Sequence, residues 1–180
     1  VARVVLAIAL AGGVVRAQVP EPALSDAEVE ILRDKAPMPQ ERVIAFMGFL
    51  EDRSKAIEKL TTLKRRPGRD EDIHDIMEQF TSIANDLQDN LDEYDKRHKD
   101  VRKALPRLLA ATERWATVLK TPPENEAYNL SRKLALEAVA DIREAATTMV
   151  AAQNAWFQAH PPSKEDLKDQ ETETRRRRRF

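Results

Sequence analysis

Two short strings carry residue types that could do chemistry, Glu71-x-x-His74 and Asp95-x-x-His98. A carboxylate and an imidazole three residues apart share one helix face, which is how di-iron bundles present their metal ligands. Such a centre needs the motif on two separate helices and carboxylates from two more. Here both copies fall on one predicted helix, roughly 36 Å apart at 1.5 Å per residue, so no metal site is expected. His74 lies in a charged first turn and is read as solvated. His98 falls in an apolar register and is read as a hydrogen-bonded core histidine, and His160, beside a helix end, complements the dipole.

Other chemistries fare no better. Only Gly48 and Gly68 follow residue 17, so no glycine-rich phosphate cradle can be written. No serine or cysteine nucleophile is patterned with a histidine base, and cysteine is absent altogether, which also excludes thiolate metal sites and covalent haem attachment. A metal- or haem-binding bundle remains the least supported alternative. The acids Asp92, Glu93 and Asp95 stand four residues before Lys96, Arg97 and Lys99, the spacing of solvated helix pairs worth a few tenths of a kcal/mol each. No enzymatic activity and no cofactor are expected.

One local feature has a sharper reading. Arg175, Arg176, Arg177, Arg178 and Arg179 form a run that would attract anionic polymers or lipid headgroups with strong salt dependence, and Phe180 adds an apolar contact. The competing reading is a tail folded against an acidic body. The formal charge of −1 falls to −3 without Arg3 and Arg16 and to −8 without the arginine run as well. Nucleic acid is not an expected partner, because the chain reads as exported. Val1-Ala2-Arg3 precedes an apolar run from Val4 to Val15, and Val15-Arg16-Ala17 has compact residues where a signal peptidase reads. Residues 1–17 are therefore expected to be a signal peptide, and the protein a soluble periplasmic or extracellular one. An N-terminal membrane anchor is the alternative, although about twelve apolar residues are short for a hydrocarbon core roughly 30 Å thick.

These residues must be positioned by helices. A third of the chain is charged and 5% is aromatic, which suits an extended helical bundle. Residues 18–24, with Pro20 and Pro22, form an extended leader, and the bundle domain spans 25–160. Ser25 with Glu28 predicts a capping box, and Pro37 and Pro39 break the first helix. Val43, Phe46, Met47, Leu50, Ile57, Leu60 and Leu63 then make one helical face, stopped at Pro67-Gly68, with Lys64, Arg65 and Arg66 in its last turn.

From Ile73 to Leu119 an apolar seven-residue repeat runs through Ile73, Phe80, Leu87, Tyr94, Val101, Leu108 and Trp115. It predicts one long central helix over about 70–120, spanning roughly 70 Å and bent at Pro106. Thr121-Pro-Pro-Glu124 predicts the start of the last helix after almost no loop, and its alanines at 138, 145, 152 and 159 predict close packing. Phe46, Phe49, Leu87, Leu91 and Trp156 should share a level of the core, and His98 should share one with Thr147. Residues 161–180 read as a disordered charged tail.

The fold class is thus all-α, an elongated antiparallel three-helix bundle. In that arrangement the last helix ends before the hairpin made by Ile57, Leu60, Leu63, Ile73, Ile76, Met77 and Phe80, leaving a broad apolar face for a protein partner or a second copy. The leading reading is a non-enzymatic scaffold, adaptor or chaperone-like protein acting through that face; polyanion or membrane-surface binding by the arginine run is the alternative. In shape and compartment the chain resembles small periplasmic helical chaperones of the Spy type. Leu60-Thr61-Thr62-Leu63-Lys64 stands nearest their Leu-Thr-x-x-Gln signature but lacks its glutamine, so the resemblance implies no site residue.

Overall fold

The structure is a computed structural model that describes residues 22–161. The expected signal peptide at 1–17, most of the leader and nearly all of the tail lie outside the described residues. Within them the chain is all-helical: α1 (Asp26–Asp34), α2 (Pro39–Thr62), α3 (Arg69–Lys96), α4 (Leu105–Leu119) and α5 (Asn129–Ala159).

The first elements form as their sequence predicts. Ser25 caps α1 through a complete capping box with Glu28. The chain breaks before Pro39, which opens α2 at a position where the missing N–H costs nothing. Gly68 takes φ +78 to start α3, a geometry that strains any residue with a Cβ. Lys64, Arg65 and Arg66 lie in the loop between α2 and α3 rather than in a last helical turn.

The long central helix is where the structure departs from expectation. The helix ends at Lys96, and α4 begins only at Leu105. Its stop is a Schellman motif: the His98 N–H donates to the Asp95 carbonyl at 3.1 Å and the Lys99 N–H to the Tyr94 carbonyl at 2.8 Å, with His98 in the left-handed region at φ 51. Asp100 then accepts the Arg102 N–H at 3.1 Å, a side-chain turn that competes with helix. Pro106 sits in the first turn of α4 instead of bending a continuous rod. What fixes the reversal is Gln153 on α5, which is buried. Its Oε1 accepts the Val101 N–H at 3.1 Å and its Nε2 donates to the Lys99 carbonyl at 2.9 Å.

After this reversal α4 runs back along the bundle, and Phe80 of α3 meets Trp115 of α4 edge to face at 5.9 Å across the centre. Helices α2 and α5 each pack against both α3 and α4, so four helices form the ring in place of three. Contacts from His74 to Ser131 at one end and from Gln153 to the Lys99–Val101 segment at the other make α3 and α5 parallel. The α4–α5 pair is antiparallel, as expected, but through a longer connection. Thr121 bonds back to the Val118 carbonyl, and the Pro122 and Pro123 carbonyls accept from Arg132 and the Tyr128 hydroxyl. The predicted capping box at Thr121 therefore does not form, and α5 starts at Asn129.

Trp115 replaces Trp156 as the aromatic centre of the core. Its ring is buried with its N–H donated to Glu51 at 3.2 Å, while Trp156 is half-buried near the end of α5. Phe46, Phe49, Leu87 and Leu91 are core residues. Of the alanine ladder, Ala138 is buried, Ala145 half-buried, and Ala152 and Ala159 exposed.

Helix α1 docks on α2 through Arg53, which donates at 2.8 Å to Glu28 and at 2.8 Å to the Ala23 carbonyl. Hydrogen bonding from Arg53, reinforced by Ser25 and opposed by burial, lowers the Glu28 carboxyl from 4.5 to about 2. A depressed carboxyl stabilises the fold fully above its unfolded value and loses that contribution as pH falls through its folded one. Glu28→Gln should therefore lower stability at pH 7 by at most about 3 kcal/mol and flatten the acid-side loss between pH 4.5 and 2, measured by urea unfolding across pH. Gln153→Leu should cost about 2–4 kcal/mol in the same assay, because the buried Val101 N–H and the Lys99 carbonyl lose their partner.

Candidate functional site

The hairpin end does not present the face expected of it. Ile57, Ile73, Met77 and Phe80 are fully buried within the chain, Leu60 and Ile76 are half-buried, and Leu63 alone is 53% exposed. The reason is the reversal after α3. Because α5 runs parallel to α3, its first turns and the end of α4 lie at the hairpin end and cover it. The arginines at 175–179 lie outside the described residues.

The histidines are placed differently from expectation. His74 is half-buried and bridges helices: its Nδ1 is 2.7 Å from the Ser131 hydroxyl and its Nε2 3.3 Å from Glu78. His98, expected in the core, is exposed because it is the left-handed stop residue of α3, and its ring stacks on Trp156 at 3.5 Å. His160 also stacks on Trp156, with ring centroids 3.8 Å apart, and its Nδ1 lies 3.1 Å from the Trp156 carbonyl at the end of α5. Among the described residues no group of three or more His, Asp or Glu is placed to hold a metal ion. Nor, among them, is any helix long and apolar enough to cross a membrane.

The surface that stands out is the valley between α3 and α5, which sequence reasoning missed. An open groove of about 610 Å³ is lined by Gln88, Asp92, Asp95 and Lys96 of α3 and by Asp141, Glu144, Ala145, Thr148 and Met149 of α5. It holds four carboxylates and one cation. Of the helix pairs expected nearby, Glu93 does pair with Arg97. Asp95 cannot reach Lys99 in helical geometry, because the helix has ended before it, and Asp92 accepts from Gln88 Nε2 at 3.0 Å rather than from Lys96. Among the described residues none of the four groove acids has an ion pair within 4.0 Å. The other amide atom of Gln88, Oε1, is buried without a hydrogen-bond partner.

The same face of α5 continues toward its N-terminus as Leu134 and Leu130, since 130, 134, 141, 144 and 148 recur at helical spacing. Leu130 is 69% exposed and Leu134 45%. The α5 wall of the valley thus carries two exposed leucines toward its N-terminus and acids further along, with His74 and Glu78 of α3 at the level of the leucines. The sequence signal for it is that helical recurrence, visible only once α3 and α5 are known to be parallel.

No protein-family model, curated protein or solved structure matches the chain.

The two leucines and the buried residue between them should separate cleanly in a stability test. Leu130→Gln with Leu134→Gln should change unfolding free energy by no more than about 0.5 kcal/mol per site, since glutamine keeps helix propensity and neither site is core. Ser131→Ala should cost about 1 kcal/mol through its lost bond to His74, read by urea unfolding.

Proposed function

We propose that this chain is a non-enzymatic interaction protein whose contact surface is the α3–α5 valley, and that its partner is a basic amphipathic helix. The observation that carries this reading is the continuity on one face of α5 of two exposed leucines with carboxylates that have no cation partner in the described residues. Apolar residues of a partner helix at three- and four-residue spacing would cover Leu130 and Leu134, and its lysines or arginines would meet Asp92, Asp95, Asp141 and Glu144. Burial of the leucines supplies affinity, while the acids supply orientation and on-rate. This keeps the interaction role anticipated for the protein but moves it from the hairpin end, whose apolar side chains are mostly spent on the core.

Titration of a labelled amphipathic peptide built from leucine and lysine, followed by fluorescence anisotropy, tests the reading. Leu130→Gln/Leu134→Gln should weaken binding at least tenfold, as expected for losing about 1.4 kcal/mol or more of apolar contact. Ile44→Gln, at an exposed isoleucine on α2, should leave it unchanged. Equal affinity for the wild type and the leucine variant would rule the valley out as the contact surface.

A further inference from the structure

We propose that Lys64-Arg65-Arg66 is a processing site, cut by an endoprotease whose specificity pocket is lined by carboxylate, and that the cut leaves a two-chain protein held together by its core. Residue type is the first argument. Three consecutive side chains are cationic, and an acidic pocket selects lysine or arginine on the acyl side of the scissile bond. In a last turn of α2 these residues would be locked in helical hydrogen bonds. They lie instead in the loop between α2 and α3, where every residue from 63 to 68 is exposed.

Backbone geometry is the second argument and is independent of charge. A protease takes its substrate as an extended strand bonded through main-chain groups. Leu63 already lies at φ −72 and ψ 155. Among the described residues, the N–H groups of Lys64, Arg65 and Arg66 and the carbonyls of Lys64 and Arg65 bond to nothing else in the chain. The side chains are held by exposed pairs alone, Arg65 with Asp70 at 2.7 Å and Arg66 with Asp72, which a tight acidic pocket outcompetes.

Other basic residues outside the helices are tied down. The Lys99 N–H donates to the Tyr94 carbonyl at 2.8 Å, its carbonyl accepts from Gln153, and the Arg102 N–H donates to Asp100. Lys103 precedes the buried Ala104, whose N–H donates to the Val101 carbonyl at 2.8 Å. The N–H groups of Lys35 and Lys120 donate to the Ile31 and Thr117 carbonyls. Drawing any of these into an extended strand breaks bonds that the 64–66 segment does not make, and exposed loop tips of that kind are where nicking concentrates.

Pro67 decides which bonds can be cut. Its nitrogen bears a ring carbon in place of hydrogen, so Arg66–Pro67 resists and Lys64–Arg65 and Arg65–Arg66 remain. Hydrolysis breaks the carbonyl carbon–nitrogen bond; water supplies hydroxyl to the carbon and hydrogen to the nitrogen, leaving a carboxylate and an ammonium group at neutral pH. Phe46, Phe49, Leu50 and Ile57 of α2 stay buried in a core shared with α3 and α4, so the two pieces remain associated. The α3–α5 valley lies wholly on the C-terminal piece, and processing does not depend on the contact reading.

Brief digestion of the full chain with trypsin, read by intact mass and N-terminal sequencing, tests the site. Arg65 or Arg66 should be the first new N-terminus within residues 22–161, formed at least about tenfold faster than any other there, because cleavage tracks the population of open backbone. The pieces should elute together in size exclusion, separate in urea, and show an unfolding midpoint that rises with protein concentration. Lys64→Gln/Arg65→Gln/Arg66→Gln, with its fold checked by circular dichroism, should lose the cut, and Pro67→Ala should gain one after Arg66. Protein recovered from its native source should carry the same new N-terminus. A first cut elsewhere within 22–161, pieces that part without denaturant, or only uncut chain at the source overturns the proposal.

Discussion

The amide of Gln153 holds the one joint on which the rest of the architecture depends. It accepts from the Val101 N–H and donates to the Lys99 carbonyl, so two backbone groups left over by the end of α3 are satisfied by a side chain from α5. An unpaired buried backbone group costs about 1–3 kcal/mol, so a reversal at this place without such a partner would be disfavoured against a continuous helix. With it, α4 turns back, Trp115 reaches Phe80, and α5 is forced to run parallel to α3. The same joint tolerates a histidine in left-handed backbone. His98 is a stop residue rather than a core histidine, and its ring stacks on Trp156 at the bundle end.

The valley follows from this geometry. Parallel neighbours place the last turns of α3 beside the middle of α5, and the acids of both helices face one groove. In a continuous rod Asp95 and Lys99 would have paired on one helix. Ending the helix at Lys96 separates them and leaves the carboxylate without that cation. The acidic character of the groove is thus a by-product of the chain reversal, and so is the loss of the apolar hairpin face, which α4 and α5 now cover. The surface proposed for contact therefore lies on the flank of the molecule rather than at its end, because eight residues separate the end of α3 from the start of α4.

Much of the local structure was legible in the residues. The capping box at Ser25, the break before Pro39, the turn at Gly68 and the apolar faces of α2 and α3 all formed where residue chemistry places them. The reversal was not legible from the apolar repeat, and the reason is physical. Val101, Leu105 and Leu108 are buried in the turn and in α4, so the seven-residue pattern continues through a segment that is no longer one helix. Asp100 and Pro106 were the available signs, a side-chain turn former and a residue suited to a helix start. The clamp itself, a glutamine fifty-two residues from the N–H it accepts, has no local signature. Without the reversal, neither the parallel α3–α5 pair nor its groove can be derived, whereas the exposed leucines and the acids were each visible singly.

The distance between α3 and α4 tests the account most directly. Glu78→Cys with Glu113→Cys, both at exposed sites in a chain that otherwise lacks cysteine, permits a spin-label distance measurement by pulsed electron resonance. Because these sites lie two residues before Phe80 and Trp115, which touch across the core, the account predicts a distribution centred below about 30 Å once label linkers are included. A distribution centred above about 50 Å, as thirty-five residues of unbroken helix would give, would contradict the reversal and with it the valley.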